Sequence, residues 1–215
     1  MILIENVDVW GFEHAIRGMR NPMNSWDKSD SYYEPANFCD HDFIIGDEDL
    51  TLMQKLCKAG AEHRKYLRQI FVSMDITAPL YWWKEFDTYK IGTVANSCST
   101  MHTIHKKEFE LDDFSHEHLY VDRLSPYCPK FMLQENIKAL NFWRHRYLAT
   151  KAKGDWWQMI QLLPSSYNQK RTVTMNYENV INIILQRSGH KLDEWTEFIE
   201  RLCKLPYIDS ITKED

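Results

Sequence analysis

Glycine is scarce in this chain, with 7 among 215 residues. Neither G-x-G-x-x-G nor G-x-x-x-x-G-K-[ST] occurs, so the sequence gives no support for a Rossmann or P-loop nucleotide site. Apolar runs are shorter than the about 20 residues that a membrane-spanning helix requires, and we expect no membrane association. Basic residues are not in excess, because 26 Lys and Arg face 31 Asp and Glu for a net charge of -5. We therefore expect no nucleic-acid partner.

Cysteine usage and the N-terminus predict a cytoplasmic protein. The cysteines are odd in number and widely spaced, and no C-x-x-C occurs, which is typical of free thiols in a reducing compartment. The opening MILIENVDVW has acidic residues where a signal peptide requires basic ones. The five cysteines are Cys39, Cys57, Cys98, Cys128 and Cys203.

The length and the hydrophobic pattern predict one α+β domain spanning residues 1–215. Residues 70–77 (IFVSMDIT) alternate between apolar and polar, which predicts a strand. Residues 2–9 predict an edge strand, and the polar, aromatic residues 20–47 predict a long loop. Helices are predicted at 12–19, 49–60, 130–150, 156–163, 177–187 and 192–205.

The stretch from Leu163 to Trp195, LPSSYNQKRTVTMNYENVINIILQRSGHKLDEW, combines a Leu-Pro stop, a polar loop and an apolar helix that ends in an arginine. This order resembles the C-terminal half of the flavin-dependent thymidylate synthases, the ThyX family. Asn176, Asn182 and Arg187 fall in register with that family's pattern. Glu178 stands where the family has a second arginine.

The resemblance continues in the N-terminal half. The helix at 49–60 ends in a glycine, as in the family, although Ala61 follows where the family has a histidine, and His63 lies nearby. The residues from Thr88 to Met101 align with the family signature R-H-R-x-x-S-x-N-x-x-S-x-R, whose arginines and polar groups hold flavin and nucleotide phosphates.

Four residues of that aligned stretch correspond to the signature. Lys90 alone keeps a positive charge, and Thr93 replaces a serine hydroxyl. Asn96 and Ser99 match if one residue is inserted. A lysine offers a phosphate only a point charge, whereas an arginine offers a two-pronged hydrogen-bond donor. We therefore expect FAD to bind, if it binds, with a dissociation constant weaker than about 1 μM.

The resemblance implies an antiparallel sheet flanked by helices, with a helical C-terminal half. It also implies a homotetramer whose sites are built from several subunits. In the family, a flavin reduced by NADPH carries a one-carbon unit from methylenetetrahydrofolate to C5 of dUMP. No protein nucleophile is implied, because the cofactor performs the chemistry.

The candidate binding residues each have a structural alternative. Arg187 could bind a pyrimidine nucleotide, or it could be a cation that complements the end of its helix. Asn176 could bind a ligand or cap the following helix. Asn182 requires a polar partner if it is buried, in the core or in a ligand. His190 is one residue out of register with a family histidine.

Other donor residues favour structural roles. The groups His102-x-x-His105, His116-x-His118 and Cys39-Asp40-His41 lie far apart and lack zinc-site spacing, so we predict no metal. Cys98 has no base partner that the sequence identifies, and we interpret it as a structural thiol.

Two functions of different classes remain open at the level of sequence. The first is a ThyX-like transferase that acts on a pyrimidine deoxynucleotide, by dUMP methylation or a related C5 transfer. The second is a non-catalytic ThyX-fold protein that binds a nucleotide as a sensor or sequestering protein. In both, we expect Arg187→Ala to abolish nucleotide binding with little loss of thermal stability.

Overall fold

In one strand of the main sheet, buried side chains alternate with partly exposed ones. The structure, a computed structural model, describes residues 2–34, 43–122, 124–125 and 127–212. Its strands are β1 (Leu3–Trp10), β2 (Tyr32–Tyr33), β3 (Phe43–Ile44), β4 (Phe71–Pro79), β5 (Thr93–Ser97) and β6 (Asn168–Asn176). Val72, Met74 and Ile76 of β4 are at most 2% exposed, as the period of two requires. The strands predicted at 2–9 and 70–77 are confirmed as β1 and β4.

The main sheet has four antiparallel strands in the order β1-β4-β6-β5, so β1 lies at an edge as predicted. A separate antiparallel pair joins β2 to β3, with Tyr32 opposite Ile44. The helices are α1 (Phe12–Arg20), α2 (Asp47–Lys58), α3 (Leu80–Phe86), α4 (Thr100–Thr103), α5 (Pro129–Thr150), α6 (Lys153–Leu162), α7 (Tyr177–Arg187), α8 (Asp193–Cys203) and α9 (Ile208–Thr212). The predicted α+β class, with helices flanking the sheet and dominating the C-terminal half, is confirmed.

The chain forms two compact units. The first, here the α7 unit, contains Glu5–Asp75, Tyr89–Ala95 and Val173–Asp215. Its core combines α1, α2 and α7 to α9 with the strand segments inside it. The largest fully buried side chains of its helices are Tyr177, Trp195 and Phe198. Within this unit, α7 packs against α8 and against the 3-10 helix Arg64–Gln69.

The second unit, here the α5 unit, contains Met1–Ile4, Ile76–Thr88 and Asn96–Thr172. The long helix α5 begins at Pro129 and ends at Thr150, and its C-cap residue Lys151 adopts a left-handed conformation with φ 55°. It packs against α6. One buried cluster of this unit consists of Ile104, Phe109, Phe114, Leu133, Leu140 and Met159.

Two strands of the main sheet are not predicted from the sequence. The pattern of residues 168–176 indicates part of a polar loop, but they form β6, which lies inside the sheet. Their polar side chains find partners in the fold: Arg171 lies over the ring of Trp83, with 4.2 Å between its Cζ and the ring centroid. The aligned signature stretch likewise contains the strand β5.

The predicted long loop at 20–47 is only partly irregular. Its described residues include the 3-10 helices Asn21–Met23 and Trp26–Lys28 as well as β2 and β3. The carboxylate of Asp49 holds this segment in place, because it accepts hydrogen bonds from Arg20 and from the hydroxyls of Ser29 and Ser31. Among the described residues, no helix is both long and apolar enough to span a bilayer.

Candidate functional site

Arg187, the last residue of α7, lies against two aromatic rings. Its Cζ is 4.6 Å from the ring centroid of Trp195 and 5.5 Å from that of Tyr89. Its Nε donates a hydrogen bond to the Tyr89 hydroxyl at 3.0 Å. Trp195 is fully buried, whereas Arg187 is half-buried. The cation is therefore held by ring faces at the negative end of the helix dipole.

His190 lies beside the same tryptophan, in a T-shaped contact at 6.1 Å between ring centroids. Its Nδ1 accepts a hydrogen bond from the backbone N–H of Leu192 at 3.1 Å. Its own backbone N–H donates to the carbonyl of Arg187. Since Nδ1 is an acceptor, the neutral imidazole carries its proton on Nε2. Trp195 thus brings Arg187 and His190 into one cluster, here the Trp195 cluster.

Asn176 is the N-cap of α7. Its Oδ1 accepts a hydrogen bond from the backbone N–H of Asn179 at 3.0 Å, and the residue is 8% exposed. Its Nδ2 lies so near Gly92 that a Cβ there would approach it to 2.3 Å. Gly92 also has φ +71°, which favours glycine. Of the two alternatives for Asn176, the structure shows the capping contact.

Thr93 and Lys90 lie in the turn that Asn176 approaches. The Nδ2 of Asn179 donates to the Thr93 hydroxyl at 2.9 Å and to the carbonyl of Ile91 at 2.5 Å. Thr93 is half-buried and Lys90 is exposed. The turn is therefore fixed to the first turn of α7, with the ammonium of Lys90 on the outside.

Asn182 contacts an arginine that the sequence did not indicate. Arg64 donates from Nη2 to Asn182 Oδ1 at 3.1 Å, and its Nε lies 3.4 Å from Glu178 Oε1. Arg68 forms a two-pronged pair with the same carboxylate through Nε and Nη2. These four residues are the arginine cluster. The pKa of Glu178 is held below its ordinary value, first by the hydrogen bond that Arg68 donates to it and then by the nearby charges of Arg68 and Arg64.

Arg64 and Arg68 were missed because their sequence context is uninformative. They are four positions apart between Gly60 and β4, on a short 3-10 helix without an apolar stripe. Nothing in the sequence places that helix beside α7. Glu178 was the available signal, since it places a carboxylate where the family has an arginine.

Asn96 and Ser99 belong to the α5 unit and not to the α7 unit that holds the other six predicted site residues. Asn96 is exposed on β5. Ser99 caps α4, because its hydroxyl accepts the backbone N–H of His102 at 3.2 Å. Within the α7 unit, the predicted residues form three groups: Arg187 with His190, Asn176 with Lys90 and Thr93, and Asn182 with the arginine cluster.

Two cations of the α5 unit, Arg171 and Lys107, are paired with carboxylates. Arg171 pairs with Asp87 at 2.7 Å, and Lys107 pairs with Asp113 at 2.9 Å. Each charge is thus already partly neutralised. Among the described residues, no group of three or more His, Cys, Asp or Glu is placed to hold a metal. Cys39, Asp40 and His41 lie outside the described residues.

Many solved structures are similar to this chain, among them two that match nearly its whole length. One is the flavin-dependent thymidylate synthase ThyX from Helicobacter pylori complexed with FAD and dUMP, with a TM-score of 0.65, 17% identity, and coverage of 93% of this chain and 91% of the other. The fold is that of ThyX. A second ThyX structure from the same organism, also with FAD and dUMP, has a TM-score of 0.66 and 15% identity, and covers 99% and 100% of the two chains.

The likeness to ThyX lies in the fold and not in the sequence. No protein-family model matches the chain, and no curated protein matches it significantly. At 15–17% identity, the structural similarity establishes the thymidylate synthase-like architecture alone.

Proposed function

We propose that this protein is a ThyX-like transferase that acts on a pyrimidine deoxynucleotide, by methylation of dUMP or a related one-carbon transfer to C5. The observation that carries the proposal is the shared fold, which extends over at least 93% of this chain, with ThyX structures that contain FAD and dUMP. Fold alone does not determine function, so the residues at the end of α7 must supply the nucleotide site.

Arg187 is the residue that we assign to the nucleotide phosphate. A guanidinium is planar and can donate to two phosphate oxygens at once, while its face rests on an aromatic ring. Here the ring of the buried Trp195 supports the face of the guanidinium, and Tyr89 orients its Nε. Such a pre-oriented donor loses little conformational entropy when it binds an anion. His190 is half-buried on the same tryptophan and is assigned a hydrogen bond to the ligand.

Asn176, Asn182, Lys90 and Thr93 are proposed to shape and line the nucleotide site. Asn176 acts through the turn at Gly92, which it holds against α7. The hydroxyl of Thr93 accepts a hydrogen bond from the side-chain amide of Asn179. Lys90 is exposed and is available to a phosphate as a point charge. Asn96 and Ser99 are proposed as nucleotide- or cofactor-binding residues of the α5 unit.

The side chains present fit a nucleoside monophosphate better than a dinucleotide. A diphosphate such as that of FAD requires several strong donors, and the aligned signature stretch supplies one ammonium, that of Lys90. In this proposal FAD is a weakly held reactant, and it supplies the redox chemistry when it is bound. NADPH and methylenetetrahydrofolate would be its reductant and its carbon source.

A non-catalytic nucleotide-binding protein, serving as a sensor or for sequestration, is the second candidate. The observation that favours it is that polar groups of the signature stretch are engaged within the chain: the Thr93 hydroxyl accepts from Asn179, and the Ser99 hydroxyl accepts from His102. A protein of this kind would retain the Arg187 site and lose turnover.

An activity assay separates the two candidates. The purified protein is incubated with dUMP, FAD, NADPH and methylenetetrahydrofolate, and the nucleotide is analysed by mass spectrometry. The transferase proposal predicts a product heavier than dUMP by one methyl group in place of a hydrogen, and its loss in Arg187→Ala. Retained dUMP binding without any product would support the second candidate.

A further inference from the structure

The arginine cluster has the geometry of an occupied anion site. Arg68 presents its Nε and Nη2 to the two oxygens of Glu178, with 3.3 Å between Nη2 and Oε1. Arg64 approaches the same carboxylate from the 3-10 helix, at 3.4 Å. The edge of a guanidinium that binds a carboxylate in this two-pronged manner is the edge that binds a phosphate.

The cluster also has donor capacity that Glu178 does not use. The Nε of Arg64 is buried and lacks a hydrogen-bond partner among the described residues, although it lies within ion-pair distance of the carboxylate. Two arginines share the carboxylate of Glu178, which is the main cause of the raised pKa of Arg68, and the charge of Glu62 adds to it. Arg68 is 54% exposed, so solvent and small ions reach the cluster. A buried donor without a partner is costly, and a second anion would satisfy it.

We propose that Arg64 and Arg68 form a binding site for a phosphate monoester and that Glu178 is its internal occupant. An external phosphate binds when the carboxylate of Glu178 moves away from the Arg68 fork or is replaced. The single phosphate of dUMP is assigned to Arg187, so the phosphate at this site would come from a second nucleotide, and that choice of source rests on the proposed function. The arginine–carboxylate geometry itself carries the site, whatever the source.

The carboxylate of Glu178 competes with any added anion for the two arginines, so an added anion must bind strongly enough to displace it. A group that is tethered next to its site competes at an effective concentration of about millimolar. Inorganic phosphate at micromolar concentration therefore does not displace Glu178. A nucleotide could do so only if it made further contacts, for example through its base. Glu178 would thus select for a complete nucleotide against free phosphate.

Calorimetric titration of inorganic phosphate and of dUMP tests the site in the full-length protein. We expect Glu178→Gln, which retains the shape of the side chain without its charge, to bind inorganic phosphate at least about tenfold more tightly than wild type. Adding Arg68→Gln to that variant should abolish the gain. Glu135→Gln is the matched control, because Glu135 pairs with Lys138 at 2.8 Å on α5 and should leave both affinities unchanged.

Unchanged or weaker phosphate binding by a folded Glu178→Gln protein would overturn the inference. Should that variant fail to fold, Glu178→Asp serves instead, because its shorter side chain withdraws the carboxylate from the fork, and a smaller gain is expected. Failure of the proposed function has a different signature: wild type and Arg187→Ala would then respond identically to dUMP, while the gain of Glu178→Gln for inorganic phosphate would persist.

Discussion

The guanidinium of Arg187 has a structural environment as well as a proposed ligand. It contacts Trp195 and Tyr89 and ends α7, so it stabilises the Trp195 cluster before any nucleotide binds. The sequence alone predicted that its removal would cost little stability. The ring contacts and the hydrogen bond change that expectation, because together they are worth about 1–2 kcal/mol in a half-buried position.

Arg187→Ala should therefore weaken dUMP binding at least tenfold and lower the free energy of unfolding by about 1–2 kcal/mol. Calorimetry and a thermal melt on the same sample measure the two effects. Arg201→Ala is a matched control, since Arg201 is an exposed arginine in the last turn of α8. It should change neither property, and an equal loss of dUMP affinity in both variants would contradict a specific role for Arg187.

Helix α7 connects the three groups of predicted residues in the α7 unit. Its N-terminus holds the turn at Gly92 through Asn176 and Asn179. Its first turn carries Glu178 to the arginine cluster, and its end carries Arg187 to the Trp195 cluster. The position of α7 therefore determines the geometry of all three groups.

Asn176→Ala should lower the free energy of unfolding by about 0.5–2 kcal/mol, since it removes the N-cap of α7. Asn176→Asp retains an accepting oxygen and should cost less. Chemical denaturation of the two variants measures the difference. If both variants lost the same stability, the capping bond would not be the source of the effect.

The ion pair between Arg68 and Glu178 should make stability depend on acidity. The pKa of Glu178 is lowered in the folded protein, first by the hydrogen bond from Arg68, so the native state binds this proton less readily than the unfolded state. The stabilisation is then fully present above the ordinary glutamate pKa, and it is lost as the pH falls through the lowered value.

The difference in unfolding free energy between wild type and Glu178→Gln, followed by denaturant titration, should therefore be constant near neutral pH and shrink in acid below about pH 4.5. A difference that grew as the pH fell would contradict the lowered pKa.

The sequence predicted α7 from its cap to its last residue because local signals coincide there: an asparagine, an apolar stripe and an arginine before a glycine. β6 was missed because its side chains are stabilised by tertiary partners, as Arg171 is by Trp83, and not by an alternating pattern. The arginine cluster was missed for a related reason, since Arg64 meets Asn182 across 118 positions of sequence.

We propose that the whole molecule is a homotetramer with sites completed by neighbouring subunits, as the sequence resemblance to the ThyX family implies, and that it is cytoplasmic, as its cysteine usage predicts. Light scattering at micromolar protein concentration should give four times the mass of the 25.8 kDa chain. A strict monomer at that concentration would count against shared sites, and it would require one chain to hold the nucleotide alone.

Binding of a pyrimidine deoxynucleotide by this ThyX-fold chain can be measured by calorimetric titration of dUMP into the wild-type protein, with and without FAD. We expect saturable binding with a dissociation constant below about 100 μM, which corresponds to about -5.5 kcal/mol, even without FAD. If neither titration shows binding at about 1 mM dUMP, the proposed function is wrong.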